Sequence, residues 1–278
     1  MYFLIKPLGS SAFKWGGVSS ILISGAVNTG YYEPVPAPST IYGFLKYAYI
    51  IMGIGSDAPE FSGPYFYAKG KESEAICVHS YPSGLLCRIQ GEMCLFKIKE
   101  EQFEHRIGIA LDRKQKITKE GYVYMQKMLD LSFISKEILG EEPENYGVMI
   151  NVLDDSAEKL KNFVGPFGGE SRPAKVYSVE PEFAGGIKKK LLASPALINS
   201  ISDKKAEWKC GHAEIDIFKD EEKKIIIDKI SVRMLSAGFD NGKRLPMFLA
   251  IMPTVEVKDN VKRIGMYSEK GWGSVVEI

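Results

Sequence analysis

The spacing of hydrophobic positions changes several times along the chain, and each change marks an element. "YFLIKPL" (2–8) is an apolar run of strand length. After a glycine- and serine-rich stretch, Ile41, Phe44, Leu45, Ala48, Ile51 and Met52 recur at helical intervals. That spacing predicts an amphipathic helix from about Pro38, its apolar stripe packed on a sheet. Pro38 suits the first turn, and Ser39 or Thr40 can cap it. Gly43 lies inside this helix at a cost of about 1 kcal/mol relative to alanine, so a close approach to the backbone is expected there. Residues 54–74, rich in glycine, proline and charge, read as loop.

"GLLCRIQGEMCLFKIK" (84–99) reads as strands. In "RIGIALD" (106–112), Ile107, Ile109 and Leu111 share one face, and "GYVYMQKMLDL" (121–131) pairs back with it as a hairpin. "YGVMINVL" (146–153) is a further strand, and Asp154 and Asp155 suit the cap and first turn of a second helix. Gly165, Pro166, Gly168 and Gly169 stop that helix, and "ESRPAKVYSV" continues extended. The order strand, helix, strands, helix, strand is the ferredoxin-like βαββαβ pattern with long insertions. Beyond about Glu180 the content is mostly strand, and Asn241-Gly242 signals a tight turn. An α+β chain of two abutting domains is expected, with the boundary near 180.

Composition narrows the function. Of 278 residues 45% are hydrophobic and 26% charged, the balance of a chain with a real core. The net charge of +1 disfavours a protein that coats nucleic acid non-specifically, although balanced totals can hide opposite patches. The four cysteines, Cys77, Cys87, Cys94 and Cys210, are too scattered for a disulfide scaffold and read as reduced thiols. There is no basic leader at the start and no apolar run of the roughly 20 residues a membrane helix needs. A cytoplasmic protein is expected, and abundant lysine, isoleucine and glutamate lean towards a thermophile.

The predicted helix carries an aromatic and basic side: Tyr42, Lys46 and Tyr49. Tyrosine rings can stack on bases and lysine can pair with phosphate, or the rings pack under loops and the lysine is solvated. The helix start, with Ser39 and Thr40, offers backbone N–H groups to a phosphate. Further candidates for RNA contact are Lys14 and Trp15, Arg106, the basic linker with Arg113, Lys114 and Lys116, and Arg172 beside "GPFGG". Trp272 in "GWG" is either a base platform or a rim tryptophan packed on a sheet. The lysines at 188–190 are a solvated strand start or a phosphate contact.

The search for catalytic groups is mostly negative. Of the three histidines, His79, His105 and His212, a metal-independent ribonuclease would use His105 or His79, and the bland reading of His105 is an edge-of-strand residue. Cys77-x-His79 and Cys210-x-His212 match no compact zinc spacing, and helix capping accounts for Asp154-Asp155 more cheaply than a metal. No cofactor and no metal are expected.

Taken together, several stretches resemble one family. "PAPSTIYGFLKYAY" (36–49) resembles the proline-serine-threonine signature of the RAMP superfamily of CRISPR proteins. "RIGIALDRKQKITKEGYVYMQKML", "FGGESRPAKV" and "LLASPALI" resemble successive blocks of one branch, with Ser194 in place of a threonine. "KGWGSVVEI" resembles the glycine-aromatic-glycine close of RAMP chains. The branch is the third subunit of the Cmr (type III-B) effector complex. One departure is that "IMPTVEVKD" keeps only Pro253 of a proline-alanine-glycine-serine stretch.

The resemblance implies two ferredoxin-like (RRM-like) RAMP domains side by side, 1–180 and a degenerate, mostly β 181–278. It also implies a non-catalytic subunit for antiviral defence that holds the repeat-derived 5′ tag of the CRISPR RNA. Its partners would be that RNA, the large polymerase-like subunit and the backbone RAMP subunit of the filament. The alternative is a RAMP endoribonuclease that processes repeat RNA with His105 or His79.

Overall fold

The computed structural model describes residues 1–17, 30–80, 82–111, 118–169, 172–182, 190–198, 207–210, 213–216, 232–240, 243–253, 256, 257, 261 and 263–278. Strand β1 is Tyr2–Pro7, and a short hairpin of β2 (Lys14–Gly17) and β3 (Gly30–Tyr32) leads to helix α1 (Pro38–Ile51). Then come β4 (Phe61–Lys69), β5 (Glu74–Ser80), β6 (Gly84–Ile89) and β7 (Glu92–Lys97). A long hairpin of β8 (Phe103–Leu111) and β9 (Thr118–Leu129) precedes helix α2 (Leu131–Leu139). Strands β10 (Asn145–Val152), β11 (Val164–Pro166) and β12 (Pro173–Ser178) follow. The remainder is β13 (Lys190–Leu192), β14 (Ala196–Ile198), β15 (Glu207–Cys210), β16 (Ala213–Asp216), β17 (Val232–Ser236), β18 (Phe239–Asp240), β19 (Lys243–Arg244), β20 (Met247–Ile251) and β21 (Val275–Glu277).

The chain is therefore a mostly-β α+β protein with two α-helices among the described residues. Eight strands make one sheet in the order β11-β12-β1-β10-β4-β5-β6-β7, with antiparallel pairing throughout. At its centre β12, β1, β10 and β4 stand side by side, the order fourth, first, third and second by sequence. One face of the sheet buries α1 and α2 over Phe3, Ile5, Phe66, Val148 and Ile150. The other buries Leu4, Tyr65, Tyr67 and Met149 against Leu191 and Val276 of the paired strands β13 and β21 and against Ile278. Burial on both faces explains why these central strands read as continuous apolar runs.

Several expectations are corrected. The stretch 54–74 is not loop throughout, because β4 crosses the middle of the sheet. Its Phe61, Tyr65, Phe66 and Tyr67 are buried, and that aromatic density outweighs the Gly63-Pro64 pair. Proline has no N–H for the ladder, and the register with β10 skips between Met149 and Asn151, opposite this pair. The helix expected after Asp154 is a short 3₁₀ turn, Asp155–Leu160. Asp154 does cap it by accepting from Ser156 N–H, but Asn162 at φ 67° turns the chain into β11.

Helix α2 was not expected at all. Asp130 caps it, Leu131, Ile134 and Ile138 are buried, and Gly140 closes it in the left-handed conformation. Cys77 and Cys87 face each other across β5 and β6 as a disulfide, against the expectation of reduced thiols. The β8–β9 hairpin is as expected, and β18 pairs with β19 across residues 241 and 242, which lie outside the described residues. No helix among the described residues is long and apolar enough to cross a membrane.

Candidate nucleic-acid interface

Helix α1 begins where Pro38 supplies its preset φ, but Ala37 stands at the N-cap with no side-chain cap. Ser39 and Thr40 lie inside the first turn, half-buried, and do not cap it. No acidic residue occupies that turn, so the positive end of the helix dipole has no offset from its own first turn. The buried face consists of Ile41, Phe44, Leu45, Ala48 and Tyr49. Tyr49, expected outside, is thus inside, and Ile51, expected in the stripe, is 61% exposed. The helix rotates to bury the tyrosine because its hydroxyl finds an acceptor, Asp154 Oδ2 at 3.1 Å. Burial, aided by the Asp154 charge, pushes the Tyr49 phenol up to about 12.

Gly43 lies on the outer face, where no atom comes within 4 Å of the position a Cβ would take. Among the described residues nothing therefore makes the close approach expected there. Beside it, the Tyr42 hydroxyl donates to Asp57 Oδ1 at 2.5 Å and Lys46 Nζ lies 3.4 Å from the same oxygen. The Tyr42 bond holds the Asp57 carboxyl below its usual range, assisted by the Ala58 N–H and Lys46. From the C-terminal turn, Lys270 Nζ sits 4.9 Å from the Tyr42 ring centroid and 5.6 Å from that of Tyr267. Tyr267 in turn meets Phe248 edge-on at 5.9 Å. The face thus joins half-buried rings, two lysines and bare helix backbone, a surface suited to stacked bases and phosphate.

A second cluster forms where three segments converge. Ser11 pairs through its backbone with Leu129 of β9, and Gly169 N–H donates to Ala12 O, which pins the 10–12 loop to the hairpin and to the 167–172 turn. There Arg106 Nε and Nη2 donate to the two oxygens of Glu104 at 2.8 and 3.0 Å, and Ser10 Oγ donates to Glu104 Oε2 at 2.6 Å. These bonds hold the Glu104 carboxyl below its usual range, with the Arg172 charge contributing. Arg172 itself reaches Met128 Sδ at 3.8 Å, and its Nε is buried without a hydrogen-bond partner among the described residues. The structure thus brings together Tyr42 and Lys46 at one place and Arg106 and Arg172 at another.

Other expected contacts are placed differently. Trp272 is 2% exposed, packed with Leu197 and Ala250, and is no base platform. Trp15 spends its indole N–H on Val35 O at 2.6 Å and lies against the His79 ring, with exposed Lys14 beside it. The glycine bends serve the fold itself. Gly168, at φ 74°, faces the Phe13 ring, and a Cβ at Gly273 would collide with the Ile264 carbonyl. Arg113, Lys114, Lys116, Lys188 and Lys189 lie outside the described residues.

His79 is wholly buried, with Nε2 2.9 Å from Glu33 Oε2, so RNA has no access to it. His105 is exposed but lies 3.2 Å from Glu100, which Lys127 also holds, and as Arg106's neighbour on a strand it points to the opposite face. The Cys-x-His notion of zinc fails at its first pair, since Cys77 is in the disulfide and His79 faces Glu33. Among the described residues no group of His, Cys, Asp and Glu is arranged to hold a metal. A cavity of about 230 Å³ on the other sheet face contains Lys69, Glu74, Arg88 and Glu182, and there Lys69 pairs with both glutamates.

Sequence reasoning missed Glu104, Ser10, Tyr267 and Lys270. Tyr267 and Lys270 sit in "YSEKGWG", where the tryptophan drew attention from the residues that line the surface.

Residues 97–200 match the family model described as CRISPR-associated protein (Cas_Cmr3). The CRISPR system CMR subunit Cmr3 of Saccharolobus solfataricus is 27% identical over 93% of this chain and 86% of its own. Two cryo-EM structures of the type III-B Cmr-beta complex, one bound to cognate target RNA and one to target RNA and AMPPnP, contain a chain of similar fold. The TM-scores are 0.56 and 0.55 and the identities 23% and 20%, over 93% of this chain and 86% of each of those. The likeness to the third Cmr subunit read from the sequence blocks is thus shown.

Proposed function

From this kinship with the third subunit of type III-B Cmr complexes, we propose that the chain is an RNA-binding, non-catalytic subunit of such a complex, acting in antiviral defence. It holds the repeat-derived 5′ tag of the CRISPR RNA and bridges the large polymerase-like subunit to the backbone RAMP subunit. We read 1–180 as a ferredoxin-like RAMP domain, a reading supported by the central strand order β12-β1-β10-β4. Residues 181–278 form the degenerate second one.

The observation that carries the RNA reading is the outer face of α1. There Lys46 and Lys270 lie over the Tyr42 ring, Lys270 also lies over Tyr267, and Gly43 next to Tyr42 presents bare backbone. Bases stack on the rings, phosphates meet the lysines, and the glycine admits the sugar-phosphate chain at van der Waals distance. Function by binding also suits the two histidines that lie among the described residues: His79 is sealed in the core, and His105 lies against Glu100 at the surface. The test is photo-crosslinking of a reconstituted complex carrying thiouridine in the tag. Crosslinks to the 38–49 helix or the 265–273 turn, lost with Lys46→Ala and Lys270→Ala together, are expected. Crosslinks confined to other subunits would reduce this chain to a protein bridge.

A further inference from the structure

The Arg106 cluster has the form of an anion site already filled from within. Glu104 and Arg106 are two apart on β8 and so lie on one face. The carboxylate takes both Nε and Nη2 of Arg106, the side-on fork that a phosphate's paired oxygens also fit, and a third donor, Ser10 Oγ, closes on it. A second guanidinium, Arg172, reaches Met128 Sδ at 3.8 Å, and Met128 is the residue that pairs with Glu104 across the hairpin. Gly9, next to Ser10, has open space around its Cα. The grouping is on the surface, where an ion pair contributes little and a competing anion can exchange with it.

Resting on the RNA reading above, we propose that Ser10, Arg106 and Arg172 form a phosphodiester-binding site for the CRISPR RNA. Glu104 occupies that site as a stand-in carboxylate until an RNA phosphate displaces it. Two arginines and a hydroxyl suit an anion with oxygens on several sides, whereas one carboxylate satisfies only part of them. The device makes occupancy of this site cost the Glu104 contact, so a weakly charged stretch of partner protein does not fill it.

The test titrates full-length chain into 5′-tagged RNA at several salt concentrations. Glu104→Gln keeps the shape but not the charge. It is expected to tighten binding about two- to fivefold, the size of an exposed ion pair. Arg106→Ala is expected to weaken binding and to abolish the gain from Glu104→Gln in the double variant. Unchanged or weaker binding by Glu104→Gln, or a gain that persists without Arg106, would overturn the site while crosslinks on α1 leave the RNA reading standing. Failure of the wild-type chain to bind tagged RNA, with no crosslinks to it in the complex, would overturn both. Circular dichroism of each variant separates misfolding from lost contact, and Arg106→Lys, which keeps charge without the fork, should bind between wild type and Arg106→Ala.

Discussion

Lys270 Nζ lies 4.9 Å from the centre of the Tyr42 ring, joining the C-terminal turn to the outer face of α1. Among the described residues no carboxylate pairs with Lys270, whereas Lys46 on the same face is partly offset by Asp57. The uncompensated lysine should therefore matter more to an anionic ligand. Lys270→Met is expected to lower the salt slope of RNA binding by roughly 0.7 and to weaken binding more than Lys46→Met. Tyr42→Ala should cost about 1–3 kcal/mol of RNA affinity through lost stacking, and Tyr42→Phe much less. Equal losses for Tyr42→Phe and Tyr42→Ala in a fluorescence titration would show that the hydroxyl, not the ring, is what counts.

The Tyr49–Asp154 bond ties α1 to the turn after β10 and makes stability depend on alkaline pH. Tyr49 titrates near 10 in the unfolded chain and is pushed up to about 12 in the fold. Below 10 both states keep the proton and the contribution is complete. Between 10 and 12 the unfolded chain releases its proton first, so stability falls as pH rises. Tyr49→Phe should lose about 1 kcal/mol at neutral pH, the worth of a hydrogen bond, and show a shallower decline from pH 10 to 12. Urea melts across that range check it.

Trp272 belongs to the core, so its removal should be read as a stability defect. Trp272→Ala is expected to destabilise by about 3–5 kcal/mol, with RNA contacts failing only as the fold fails. Gly273→Ala should do comparable harm. Its φ of 62° is costly for an alanine, and the new methyl group would press on the Ile264 carbonyl. Retained thermal stability in Trp272→Ala with lost RNA binding would return the indole to the interface.

The elements easiest to read were those whose period is unmistakable: β1, α1 up to Ala48, the β8–β9 hairpin and β10. The errors have separate physical causes. Strand β4 was hidden by Gly63-Pro64, since local breakers were weighed without knowing that the pair is taken up as a bulge in β4 opposite Ile150. Helix α2 was legible in Asp130, Leu131, Ile134, Ile138 and Gly140, but the strand reading of 121–131 absorbed its start. Tyr49 was placed outside because helical spacing alone does not say that Asp154 waits inside with an acceptor. Tyr42, Lys46, Arg106 and Arg172 could be chosen from sequence as residue types. That Glu104 would occupy the arginines, and that Lys270 would cross to Tyr42, depends on segments far apart in the chain.

Cys77 and Cys87 are paired in register on β5 and β6 and wholly buried, while Cys94 on β7 is exposed and free. Alkylation of folded protein purified without reductant should label Cys94 and spare Cys77 and Cys87. After denaturation, Cys77 and Cys87 should remain protected until a reductant is added. Labelling of both in denaturant alone would return them to the reduced state the sequence implied.

His79 and His105 offer the sharpest separation of binding from cleavage. The buried His79–Glu33 pair also holds the Ser83 N–H on Glu33 at 2.7 Å, which fixes the turn between β5 and β6. His79→Ala would leave a buried carboxylate short of a partner and is expected to cost about 3–5 kcal/mol of stability. His105→Ala, at an exposed contact with Glu100, should change stability by less than about 1 kcal/mol. In metal-free buffer with labelled repeat RNA, both variants and the wild type should leave the RNA uncut. Site-specific cleavage by the wild type that vanishes in His105→Ala, with its melting temperature intact, would make the chain a ribonuclease instead.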